Sequence, residues 1–88
     1  MLFLTTYTWT PENRDAIVAR FKSTGGIPPA GVKMLHRWTS LGGGRGFVVT
    51  EADDPVAAAS FCYAWNDLMR FEMVPVQTDE QLMKVLSS

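Results

Sequence analysis

Two places in the chain join a strand-like run to a helix start, and together they fix most of the topology. The run "LFLTTYTW" (2–9) is rich in β-branched and aromatic residues and reads as a strand. It leads into Thr10-Pro11, a hydroxyl N-cap followed by proline at the first helical position. The helix that follows carries Ile17, Val18 and Phe21 on one side. The run "RGFVVTE" (45–51) repeats the device: it leads into "DDP" (53–55), with an aspartate cap, and then Ala58, Phe61, Cys62, Trp65 and Leu68 at helical spacing.

The remaining segments fall between these two units. "STGGIPPAG" ends the first helix, since glycine caps helices and proline cannot extend them. "VKMLHRWT" (32–39) is a strand, and the glycine-rich "SLGGG" joins it to 45–51 as a hairpin. "MRFEMVPVQ" (69–77) is a fourth strand, placed at a sheet edge because Pro75 has no N–H to donate. "TDEQ" (78–81) is a capping box that opens a short C-terminal helix with Leu82, Val85 and Leu86. The order β-α-β-β-α-β-α predicts an α+β, ferredoxin-like domain over 1–88: a four-stranded antiparallel sheet with both long helices on one face.

A sheet covered on one side leaves the other side open. The expected arrangement puts the bulky aromatic sets on the open face and the smaller aliphatic sets beneath the helices. The open sets are Phe3, Thr5, Tyr7 and Trp9; Met34, His36 and Trp38; Arg45, Phe47, Val49 and Glu51; and Phe71, Met73 and Pro75. Around the hairpin, pairing of Ser40 with Arg45 sets Trp38 opposite Phe47, His36 opposite Val49 and Met34 opposite Glu51. Four strands about 18 Å long at ~4.8 Å spacing make a face of about 350 Å². With 47% hydrophobic residues in so short a chain, a homodimer packed through this face is expected.

Charge and cysteine content exclude several function classes. The net charge is −1, with no basic run, so nucleic acid is not an expected partner. No segment approaches the ~18 apolar residues of a membrane span, and the apolar start lacks the basic region of a signal peptide. A single cysteine, Cys62, fits a reducing cytoplasm and, at a helix stripe position, an inert core thiol. One histidine and one cysteine give no metal spacing, and nothing calls for a cofactor.

Three stretches carry a resemblance: "ARFKSTGGIPPAGVKMLHRW", "GFVVTEADDP" and "AWNDLMRFEMVPV". Over nearly its whole length the chain resembles the DUF3303 family of small bacterial proteins. The ending built from Trp65, Asp67, Leu68, Phe71, Glu72, Val74, Pro75 and Val76 is the most recognisable part. The resemblance implies a dimeric α+β barrel and no established reaction.

His36, the only histidine, is the main candidate for chemistry. With Glu51 diagonal to it across the hairpin, it could act as a general acid or base on a phenol or an activated carbon. The alternative packs it among Met34, Trp38 and Val49, and a lone histidine on an apolar face is more often of that kind. Arg45 and Glu51 either orient an anionic substrate or pair across a dimer. Asp67 is expected to satisfy backbone donors or an arginine at a tight turn. "GGGRG" lacks the Lys-Ser/Thr of a phosphate loop and is a hairpin. "TGGIPPAG" either lids a pocket or merely reverses the chain.

Three functions follow. The first is a dimer that binds a small apolar or aromatic molecule between its two sheets, with Tyr7, Trp9, Met34, Trp38, Arg45, Phe47 and Phe71 as the binding set. The second is a cofactor-independent monooxygenase or isomerase using His36 and Glu51. The third is a structural dimer without a ligand.

Overall fold

The central strand is β1 (Leu2–Thr8), which pairs antiparallel with β3 (Arg45–Glu51) on one side and β4 (Arg70–Val76) on the other. β2 (Lys33–Thr39) pairs with the outer edge of β3, giving the order β2-β3-β1-β4 in the computed structural model, which describes residues 1–88. This is the expected four-stranded antiparallel α+β sheet, ferredoxin-like in connection. Pro75 lies in an edge strand, as its missing donor requires.

Several helix ends are set by recognisable local chemistry. A 3₁₀ turn (Pro11–Asn13) precedes α1 (Arg14–Thr24), so the Thr10 side chain makes no cap hydrogen bond and Pro11 starts the turn rather than the α-helix. Gly25, at φ 71°, closes α1 by donating its N–H to the Phe21 carbonyl at 2.7 Å. In α2 (Pro55–Tyr63), Asp54 Oδ1 accepts from the Val56 N–H at 2.9 Å. The Thr78/Gln81 capping box opens α3 (Asp79–Leu86) with both reciprocal bonds in place. No residue of α3 is buried, and Met83, Val85 and Leu86 lie largely exposed.

The hairpin register follows expectation around Trp38–Phe47 and His36–Val49, with Ser40 donating to the Arg45 carbonyl at 2.9 Å. Past His36 it changes. A bulge between Met34 and His36 sets Met34 opposite Thr50, and Lys33 takes the place opposite Glu51. The extra residue moves Met34 off the face that carries His36, which corrects the expected alternation.

The assignment of faces also needs correction, in β1 and β4. Phe3, Thr5, Tyr7 and Phe71 face the helices, while Leu4 and Val74 face the open side. The bulk beneath the helices comes from the sheet because α2 offers little of its own. Phe3 packs with Val32, Ala52 and Ala58, and Ala57, Phe61 and Met73 close around that cluster. Large sheet residues opposite helix alanines fill the layer, as alternation of large and small across a core requires. In β3, and in β2 from His36 on, the faces stand as expected: Arg37 and Val48 are covered, and His36, Trp38, Phe47 and Val49 share the open side.

Two core hydroxyls lack partners. Thr5 (1% exposed) and Thr50 (0% exposed) sit on the covered face with no hydrogen bond to either Oγ1. Valine has the same shape and no group to desolvate. Thr50→Val is therefore expected to stabilise the fold, by about 1–2 kcal/mol. A thermal midpoint equal to or below that of the parent chain would refute the assignment of an unpaired hydroxyl there.

Candidate functional site: a cavity between the helices and the sheet

The aromatic residues of β1 do not close the gap they face. Between α1, α2 and the sheet lies a cavity of about 400 Å³, lined mostly by apolar side chains. Its floor is Thr5, Tyr7 and Val48, with Trp9 and Phe71 beside them; Ile17, Val18 and Phe21 of α1 and Phe61, Cys62 and Trp65 from α2 and its exit form the roof. Volume and lining both fall in the range of sites that enclose small organic molecules.

Glycine shapes the floor. Gly46 stands opposite Tyr7 on β3, and a Cβ there would overlap the tyrosine ring and hydroxyl. With no side chain beneath it, Tyr7 lies across the strand, its ring 6.2 Å from Trp9 in a near-parallel stack and 5.6 Å from Phe71. Burial raises the Tyr7 phenol above its ordinary pKa, and the nearby Arg37 charge opposes this only in part. The phenol is a neutral hydrogen-bond donor throughout the neutral range.

Arg37 crosses from β2 to the end of α1. Its Nη1 donates to the Gly26 carbonyl at 2.8 Å and its Nη2 to that of Gly25 at 3.3 Å, with the guanidinium 4.9 Å from the Phe21 ring centre. Gly26 makes room for it: φ is 62°, and a Cβ would come within 2.6 Å of Arg37 Nη1. At the other end of the roof, Arg20 grips Asp67 through two 2.8 Å hydrogen bonds and lies 5.3 Å above Trp65. This is the arginine partner expected for Asp67. The hydrogen bonds hold the Asp67 carboxyl below the usual carboxylate range.

The sequence-derived binding set divides between two sides of the sheet. Tyr7, Trp9 and Phe71 line the cavity. Trp38 and Phe47 lie on the open face, where Trp38 stacks on His36 with ring centres 5.2 Å apart. Arg45 opens β3 and is exposed, and Met34 is diverted by the bulge. Glu51 pairs with Leu2 and Lys33, one step beyond the strand position opposite Met34, and makes no hydrogen bond to His36. Thr5, Phe21, Arg37 and Cys62 were missed as cavity residues. Arg37 and Cys62 stand on the helix side of the expected arrangement, and no local pattern in the sequence marks a gap between helices and sheet there. Burial raises the Cys62 thiol pKa.

Comparison with known proteins adds the following. The model of a family described as a domain of unknown function, DUF3303, matches residues 1–88. Among solved structures, the chain is similar to a protein of Deinococcus radiodurans that carries the name of the antibiotic biosynthesis monooxygenases, at 13% identity and TM-score 0.44, over 89% of this chain and 94% of that one. It is also similar to an uncharacterised NIPSNAP domain protein of Burkholderia xenovorans, at 13% identity and TM-score 0.49, over 89% of this chain and 96% of that one. No curated protein matches the sequence.

Proposed function

The chain belongs to the DUF3303 family, and from that premise we propose that it is a dimeric binding protein whose cavity beneath the helices takes a small apolar or aromatic molecule. The observation that carries this is the cavity itself: about 400 Å³ walled by Tyr7, Trp9, Phe21, Phe61, Trp65 and Phe71. A gap of that size in a small domain forfeits packing contacts that neighbouring side chains would otherwise make. An apolar occupant restores them. The site lies within each copy, under its helices, and not between two sheets.

The second copy belongs on the open face. Leu4, Trp38 and Val74 are 40%, 53% and 52% exposed there, beside Phe47 and Val49. A second reading places chemistry on this face, with His36 and Glu51 as a proton-transferring pair in a chamber walled by the partner copy. The His36–Trp38 stack supports it, since a flat substrate could extend that stack. Binding in the cavity is favoured, because every residue that lines it comes from one chain.

N-phenyl-1-naphthylamine, a neutral aromatic fluorophore, tests the reading. It is expected to bind one per chain and to slow alkylation of Cys62 several-fold at mildly alkaline pH, because that thiol lines the cavity. As the only cysteine, its modification is read directly from the mass. Binding with Cys62 alkylated at its free rate would move the site to the open face. An absence of binding would remove the cavity reading.

A further inference from the structure

The charged groups in the cavity wall are all of one sign. Of its sixteen lining residues, two are charged, Lys22 and Arg37, and no aspartate or glutamate is among them. Both stand where α1 ends, beside Phe21 and Gly26. The ion pairs of the chain are Met1 with Asp53, Arg14 with Asp15 and Arg20 with Asp67, so neither cavity cation has a carboxylate of its own. A half-buried guanidinium facing an apolar chamber without a counter-charge is an incomplete arrangement.

We propose that the cavity's ligand is an aromatic or apolar acid, its ring held between the aromatic walls and its anionic group against Arg37, with Lys22 at the rim. This rests on the reading of the cavity as a binding site. Arg37 uses two N–H donors on the carbonyls of Gly25 and Gly26, and a guanidinium carries five. Those two bonds and the Phe21 ring fix the side chain in place, so an arriving anion meets a preorganised donor and does not have to order it. The Tyr7 hydroxyl, close enough to feel the Arg37 charge and kept protonated by burial, is a further donor at the same end. A neutral ligand of the same shape would leave the guanidinium's free donors unanswered.

A matched pair of probes separates the two claims. 1-Anilinonaphthalene-8-sulfonate has the ring system of N-phenyl-1-naphthylamine with one sulfonate added. The sulfonate probe is expected to bind the native chain about tenfold more tightly or better, as a charge-assisted hydrogen bond provides. Both probes are expected to protect Cys62, and added salt should weaken the sulfonate alone. Arg37→Gln should bring the sulfonate's affinity down to that of its neutral partner and leave the neutral probe unchanged. Equal affinities on the native chain, with Cys62 protected by both, would overturn the acid and keep the cavity. If neither protects Cys62, the cavity reading itself has failed. The native-chain comparison decides the matter even where Arg37→Gln does not fold.

Discussion

Trp65→Ala is expected to cost about 3–5 kcal/mol, enough to leave much of an 88-residue domain unfolded at physiological temperature. Trp65 is 8% exposed, roofs one end of the cavity and lies under the Arg20 guanidinium. Its backbone also turns the chain out of α2: its N–H donates to Cys62, and its carbonyl accepts from both Leu68 and Met69. The side chain thus anchors the one connection that delivers β4 to β1. Arg20 locks the same corner through Asp67 and the Ala64 carbonyl, and Asn13 does so through the Leu68 carbonyl at 3.0 Å. Urea unfolding of Trp65→Ala beside Trp65→Phe measures this, the phenylalanine retaining most of the apolar area and most of the stability. A loss under about 1 kcal/mol for alanine would show that the corner holds without its anchor. The Asp67 contribution carries its own signature. Its carboxyl is harder to protonate folded than unfolded, so the Arg20 pair helps above the ordinary carboxylate pKa and fades as the pH falls through the lowered value.

This corner also shows what the sequence could and could not reveal. Element order was legible because each boundary has local chemistry: Asp54-Pro55, the Thr78/Gln81 box and Gly25 act within a few residues of themselves. Asp67 was legible as a turn residue answering either backbone donors or an arginine, though nothing local chooses between them or names Arg20 as the partner 47 positions away. Strand faces were less so. In β2 and β3 the hairpin loop transmits register from one strand to the next, and His36, Trp38, Phe47 and Val49 fell on one side as read. β1 and β4 are joined to the rest through helices, which transmit no such parity. Both faces of β1 carry apolar residues, so alternation alone cannot choose between them. In β4, by contrast, Arg70 and Glu72 stand opposite the side of Phe71 and Met73 and did mark the covered face. The choice was made by the alanines of α2, which admit Phe3 and Met73 beneath the helices. The bulge beside Met34 carries no glycine and no local signal, and it shifted the far end of β2 unannounced.

The corrected faces lead to the last prediction, that Val74→Glu abolishes the dimer proposed above with little effect on the stability of the single chain. Leu4 stands between Val49 and Val74 on the open face, with Trp38 and Phe47 beyond. Val74 is 52% exposed in one chain, so a glutamate there remains hydrated until a second copy covers it. Covering it with the apolar side chains of a second copy strips that hydration, a penalty expected to weaken association 100-fold or more. The sheet face, about 350 Å², supplies under half of the ~800 Å² per partner that stable interfaces bury. The missing area has an obvious source in α3, which follows β4 directly and buries none of its own residues while presenting Met83, Val85 and Leu86. Removing residues 79–88 should therefore weaken the dimer as well, without touching the cavity, whose lining residues all precede them. Sedimentation across a wide dilution range reads all three chains. A native chain that stays monomeric at 100-fold the micromolar range would sink the dimer, leaving the open face without a second copy to cover it while the cavity beneath the helices stands unaffected.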